Sequence, residues 1–220
     1  MTGVLTIDIV SKIYKKGTAP VEALEGFSLS MERGETVAVM GESGAGKSTL
    51  LNILGLVDPH YEGSYKLFGK NTRELSDAEA ANWRNRRIGF VLQESALVDS
   101  MTIADNVLLP LAYATEELRK ASEARFGEVA RALGIHRLLD KKPLECSGGE
   151  KSRAVFARAV LMNPELILAD EPTASLDAGN RVNIANLLFD LSQRSGATII
   201  TVTHDIELAK RHNRIVTLTR

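Results

Sequence analysis

This chain lacks several features that would place it quickly. It holds a single cysteine among 220 residues, so no disulfide can form within it, and a reducing compartment suits it. Neither charge sign dominates. The 27 Lys and Arg stand against 28 Asp and Glu, leaving no overall field to attract nucleic acid or an anionic membrane. Long hydrophobic runs are missing too: stretches such as NVLLPLAYA fall far below the roughly 20 apolar residues that span a bilayer. The opening MTGVLTIDIV alternates like a strand and has neither the basic start nor the long apolar block of a secretory signal. Repeats, low-complexity tracts and linkers are also absent. These exclusions leave a compact cytoplasmic protein with enough chain for a sizeable core.

What the chain does contain is alternation. Leu5 to Tyr14 and Phe27 to Met31 read as strands of an N-terminal antiparallel layer, with KKGTAP as a turn. Thr36 to Met40 is a short apolar run, as in a strand buried on both faces, and a helix is expected from Lys47 to about Gly55. Arg87 to Leu92 reads as another strand. From Ser95 to Met162 the pattern turns helical, with a charged amphipathic segment over Glu116 to Leu133. Strand and helix then alternate through LILAD, a helix near Ala178 to Ser195, ATIITVT, a short helix after Asp205, and RIVTLT. That order implies an α/β fold with a mostly parallel sheet. The expected organisation is one domain: residues 1–94 and 163–220 form the core, and 95–162 form an inserted helical subdomain.

The motif GESGAGKST, Gly41 to Thr49, follows a buried strand and opens a helix, the setting that a phosphate loop requires. Gly41, Gly44 and Gly46 let the backbone curl so that its N–H groups, with those of Ser43 and Ala45, can face phosphate oxygens. Lys47 can bridge the outer phosphates, and the Ser48 hydroxyl can ligate Mg²⁺. LILADEP ends an apolar strand on two acids. An ionised carboxylate there needs a partner; Mg²⁺ suits Asp170, and Glu171 would then position or deprotonate the attacking water of a phosphoryl transfer. Gln93 and His204 each end a strand where ligands gather in open α/β sheets, and satisfied structural roles suit them equally. Tyr14 could stack on a base or merely pack. Trp83 reads as packing.

The stretch CSGGE adds a puzzle. Ser147 and Glu150 form a capping box, but Gly148 and Gly149 weaken the helix start by about 1 kcal/mol each relative to alanine. Bare glycines at a helix N-terminus make sense where an anion must approach the N–H groups.

Taken in order, these motifs resemble the ATP-binding subunit of ABC transporters over essentially the whole chain. GESGAGKST looks like Walker A, Gln93 like the Q-loop, CSGGE like the signature, and LILADE like Walker B. ASLD (Ala174 to Asp177) looks like the D-loop and His204 like the switch histidine, while Tyr14 sits where the family carries its adenine-stacking aromatic. The resemblance implies that Ser147, Gly148 and Gly149 bind the outer phosphate of ATP held on the loop of a second copy, with Asp177 at that interface. It also implies a homodimer with ATP at the interface, catalysis by Glu171, Lys47, His204 and Gln93, and Mg²⁺ on Ser48, Gln93 and Asp170.

Finer features such as RNRRIGFVLQ and TIADNVLLPL are similar to the MacB/LolD branch, whose ATPases pair with a separate permease. Two departures stand out: Cys146 where leucine is usual, and Lys151-Ser152-Arg153 where Gln-Gln-Arg is usual. The expected function is a cytoplasmic-face ATPase that drives export of a toxic or amphipathic compound. An ATP-driven relay or cell-division regulator of the same branch is the alternative. A soluble ABC protein of DNA repair or translation fits less well, since the chain has no coiled-coil insertion, no second ATPase domain and no basic excess.

Overall fold

The structure is a computed structural model that describes residues 3–16, 19–92, 97–174 and 176–219. Two sheets face each other across a shared core. The first is antiparallel and runs in the order β2 (Ala19–Met31), β1 (Leu5–Lys16), β4 (Glu62–Leu67), β5 (Lys70–Asn71). The second is parallel: β6 (Ile88–Val91), β7 (Leu166–Asp170), β8 (Thr198–Val202), β3 (Thr36–Met40), β9 (Arg214–Thr217). The expected α/β fold with an antiparallel N-terminal layer is what the chain adopts.

Local sequence explains most elements. Leu5, Ile7 and Ile9 alternate inward along β1, matching the period of a strand with one buried face. β8 is buried throughout, and its threonines are satisfied rather than stranded. Thr198 accepts from the Gly34 amide at 3.1 Å, and Thr201 pairs with His212 Nε2 at 2.9 Å. The N-terminal strands are longer than their apolar pattern suggests, because β1 and β2 pair from Leu5↔Met31 out to Lys16↔Ala19.

One core fills the space between the sheets around α1 (Lys47–Leu54), which buries Leu50, Leu51, Ile53 and Leu54 there. The other covers the far face of the parallel sheet with α5 (Gly148–Leu161) and α6 (Ala178–Ser195), and extends to α3 (Ile103–Leu108) and α4 (Glu116–Ala132). A last short helix, α7 (Ile206–Ala209), leads into β9.

The stretch between α1 and β6 escaped the sequence pattern. β4 buries only Tyr65 and Leu67, too few to stand out. The helix α2 (Asp77–Arg86) buries nothing fully and has no apolar stripe; its start is fixed by the Ser76–Glu79 capping box. Trp83 packs as expected, edge-on to Phe68 at 5.4 Å, while the Arg87 guanidinium lies over both rings and pairs with Glu165 at 2.6 Å.

A buried amide ties the loop before α3 to that helix. Asn106 is fully buried; its Oδ1 accepts from the Val98 amide at 2.7 Å, and its Nδ2 donates to the carbonyls of Val98 and Thr102 at 3.0 and 2.9 Å. Asn106→Ala removes these bonds from part-buried backbone groups, so the free energy of unfolding should fall by about 1–2 kcal/mol, read from the urea midpoint.

Candidate active site

The C-terminal ends of β3, β7 and β8 point to one edge of the parallel sheet, where Gly41, Glu171 and Thr203 begin the loops that follow. A cleft of about 640 Å³ opens there. It is lined by Gly41, Ser43, Gly44, Gly46, Lys47, Ser48 and Thr49 from the loop and the start of α1, by Asp170, Glu171 and His204, and by Tyr14 with its cross-strand neighbour Val21. The structure thus gathers residues spread over 190 positions of sequence. Ala45 belongs to the loop but turns into the core instead.

The loop's shape depends on Gly46. This residue caps α1 at φ 91°, a left-handed conformation, and a Cβ there would stand 2.0 Å from the Ala23 carbonyl oxygen of β2. Only hydrogen fits, so the loop is pinned between the two sheets. Lys47 folds back across it and donates to the carbonyls of Gly41 and Glu42 at 2.8 Å each. Those bonds hold the ammonium at the mouth of the cleft, where a polyphosphate can replace the two carbonyls.

On the opposite wall stand the two acids. Burial pushes the Asp170 carboxyl above its ordinary range, and the nearby Glu171 charge adds to this, while the Ser48 hydroxyl and Lys47 pull the other way. A half-buried negative charge beside a hydroxyl fits a divalent cation. Among the described residues no group of three or more His, Cys, Asp or Glu could hold a metal. The Asp170 carboxylate and the Ser48 hydroxyl are the kind of one or two protein oxygens that Mg²⁺ takes.

Glu171 sits at φ 43°, a strained backbone for a residue with a side chain. Its Oε1 lies 2.8 Å from His204 Nδ1, and its Oε2 accepts from the Thr203 hydroxyl at 3.2 Å and the His204 amide at 3.4 Å. A carboxylate only accepts, so the imidazole carries a proton on Nδ1. The Glu171 side chain is 10% exposed and that of His204 71%, so the histidine is the member of the pair with room to turn away.

The remaining expected residues lie elsewhere. Gln93 falls outside the described residues, as does Ser175 of the ASLD stretch. Ser147, Gly148 and Gly149 start α5 and take no part in lining the cleft. Their capping box is real: the Glu150 amide donates to Ser147 Oγ at 3.3 Å, and Glu150 Oε2 accepts from the Ser147 amide at 2.7 Å. Gly149 has an explanation inside the chain that was not legible in sequence. A Cβ there would come within 2.7–2.9 Å of the Asn180 side chain, which is itself held to Asp177 at 2.6 Å at the start of α6. Two residues that bond to the cleft lining also went unread. Thr203 braces Glu171, and Asp58 accepts from the Tyr14 hydroxyl.

A glycine-rich loop between a buried parallel strand and a helix, facing two acids at the end of a strand two places away in the same sheet, defines a phosphate-loop nucleotide-binding core. Residues 24–174 match the ABC transporter family, and the chain belongs to that family. It is 45% identical to the uncharacterized ABC transporter ATP-binding protein YvcR of Bacillus subtilis, over 97% of this chain and 83% of that one. Identity to the bacitracin export ATP-binding protein BceA of Halalkalibacterium halodurans is 41%, covering 94% and 81% of the two chains. The lipoprotein-releasing system ATP-binding protein LolD 1 of Rhodopseudomonas palustris is 39% identical, over 98% of this chain and 96% of its own. Among solved structures, the dimeric post-hydrolysis state of the ATP-binding cassette MJ0796, bound to ADP and Pi, aligns with a TM-score of 0.85. It shares 37% identity across 98% of this chain and 94% of that one. The chain is accordingly the ATP-binding, ATP-hydrolysing subunit of a transporter, of the type to which MacB and LolD belong.

Asp170→Asn removes a carboxylate whose ionised form the fold disfavours. A raised carboxyl destabilises the fold at pH values above the unperturbed range, so the asparagine variant should melt about 1–3 °C higher at pH 7 without nucleotide. That gain should vanish below about pH 3.9, where the carboxyl is protonated in both states. Calorimetric melting should show the variant steadier at pH 7 and level with the parent at the acid pH, with Mg²⁺-dependent ATPase activity at pH 7 lost.

Proposed function

We propose that two copies of this chain close head to tail on two ATP molecules and so drive export of a toxic, amphipathic compound through separate membrane permease subunits. The observation that carries this reading is the poised acid: Glu171 is buried, strained and tethered to the exposed His204 beside a complete phosphate loop. Among the described residues no helix is long and apolar enough to cross a membrane, which suits a subunit that docks on partners at the cytoplasmic face of the inner membrane. The BceA relative is named for bacitracin export, which supports an exported cargo.

In this reading Tyr14 meets the adenine, and the amides of Ser43 to Thr49 receive the phosphates. Lys47 exchanges the Gly41 and Glu42 carbonyls for oxygens of the outer phosphates. Ser48 and Asp170, with Gln93 in the family pattern, would hold Mg²⁺, which when bound neutralises charge on the phosphate oxygens. Glu171 takes the proton of the attacking water, and His204, released from Glu171, turns to the outer phosphate. Residues 95–162 form the helical subdomain that carries Ser147, Gly148 and Gly149 of one copy to the nucleotide of the other, with Asp177 at the same interface. The positive end of α5 favours the phosphate there. Loss of that phosphate removes the differential affinity that keeps the pair closed.

Glu171→Gln keeps the shape and removes the base. ATP affinity should be unchanged, turnover should fall about a hundredfold or more, and the ATP-loaded protein should elute as a stable dimer in gel filtration. Brisk turnover in this variant, or a monomer with ATP bound, would refute the proposal.

A further inference from the structure

The base end of the cleft is built around a buried charge that the phosphate chemistry does not use. Lys12 points inward on β1 and is 4% exposed, at a register shift in the β1–β2 ladder. Its Nζ lies 2.7 Å from Asp58 Oδ2 and 4.5 Å from the centre of the Tyr14 ring, over its face, and also donates to the His60 carbonyl. Tyr14 donates its hydroxyl to the same Asp58 oxygen at 3.0 Å, and the His60 amide donates to the other at 3.0 Å. Burial pushes the Asp58 carboxyl up, yet Lys12, His60 and Tyr14 together hold it below its ordinary value. The carboxylate is therefore charged and fully engaged.

An ion pair buried this way is a poor source of stability, because apolar side chains of the same size pack as well without the desolvation cost. What it supplies is direction. Lys12 and Tyr14 are two residues apart on one strand, so both side chains stand on the same side of the sheet. The ammonium covers one face of the ring, and the shared carboxylate fixes the hydroxyl. With one face covered and one end tied, the ring plane has no freedom to swing, and its other face is left to the cleft that it lines.

We propose that Lys12 and Asp58 are positioning residues for Tyr14: they lock the plane of its ring so that the free face is presented ready-made to the purine of the nucleotide. This inference rests on the reading above that Tyr14 meets the base. A pre-set ring spares the ordering that a mobile side chain would undergo on binding, so the pair should act on affinity for the base and leave the phosphate contacts alone.

Titration calorimetry on the full chain, with ATP and with inorganic tripolyphosphate as probes, tests this. Tyr14→Ala should weaken ATP about tenfold and leave tripolyphosphate within about twofold. Tyr14→Phe, which keeps the ring and cuts only its tie to Asp58, should weaken ATP about threefold, as should Asp58→Asn, again with tripolyphosphate unmoved. Lys12→Arg, which restores charge and ring contact, should bind ATP as the parent chain does. If Tyr14→Ala is impaired while Tyr14→Phe and Asp58→Asn bind ATP normally, stacking stands and the positioning role is overturned. An equal loss for both probes marks the pair as merely structural and also overturns it. Normal ATP binding by Tyr14→Ala would overturn the base-stacking reading itself. Tyr14→Phe leaves the ion pair in place, so it keeps the test decisive even should Asp58→Asn fail to fold.

Discussion

The contact between Gly46 and the Ala23 carbonyl is the constraint on which the active site depends. It allows no side chain, and it joins the antiparallel sheet, the phosphate loop and the first turn of α1 at a single point. From that point α1 drives four apolar side chains into the core between the sheets, so the loop's curvature is backed by packing rather than by the loop alone. A loop held this way has little to order when phosphate arrives. Its amides and the Lys47 ammonium are already gathered at the mouth of the cleft.

Opposite this rigid wall, the sheet edge stores unfavourable features. Asp170 carries a disfavoured charge, Glu171 a strained backbone, and the two carboxylates repel. The fold tolerates these because β7 and β8 are paired along their whole length directly behind them, with Asp170 opposite Val202, and the Glu171 amide is bonded to the Val202 carbonyl at 2.9 Å. Stability is given up at the acids and supplied by the paired strands behind them. This is the usual relation between a functional site and the scaffold that holds it. His204 is tied to Glu171 from the neighbouring strand end, so the state of that carboxylate and the position of an exposed histidine are two readings of one contact.

A second linkage runs between motifs that sequence treats as separate. Gly149 of the CSGGE helix is bare partly because Asn180 stands against it, and Asn180 is fixed by Asp177 of the ASLD stretch. The start of α5 is thus shaped by the cap of α6. An anion is one reason for a glycine there, and a neighbouring side chain is another. From the sequence only the first could be argued, since the approach of residue 180 to residue 149 exists only in three dimensions.

Local chemistry was enough for whatever is encoded by neighbours in sequence. The phosphate loop, the Ser147–Glu150 cap, the buried strands β3, β7 and β8, and the helix from Ala178 to Ser195 each carry their own signature, because glycines, caps and apolar runs act over a few residues. The order of those motifs also sufficed to name the family. The sequence left open whatever depends on partners far along the chain. Tyr14 read equally as stacking or packing, and nothing local pointed to Asp58, 44 residues away, on its hydroxyl. Nothing in the sequence singled out Lys12, which is buried beyond the register shift between Ile9 and Ser11 in the β1–β4 ladder. β4 and α2 had too little apolar surface to declare themselves, since the first is stabilised by pairing with β1 and the second by its cap. Short-range rules decide which elements form, whereas a buried charge acquires its meaning only when the fold brings its partner to it.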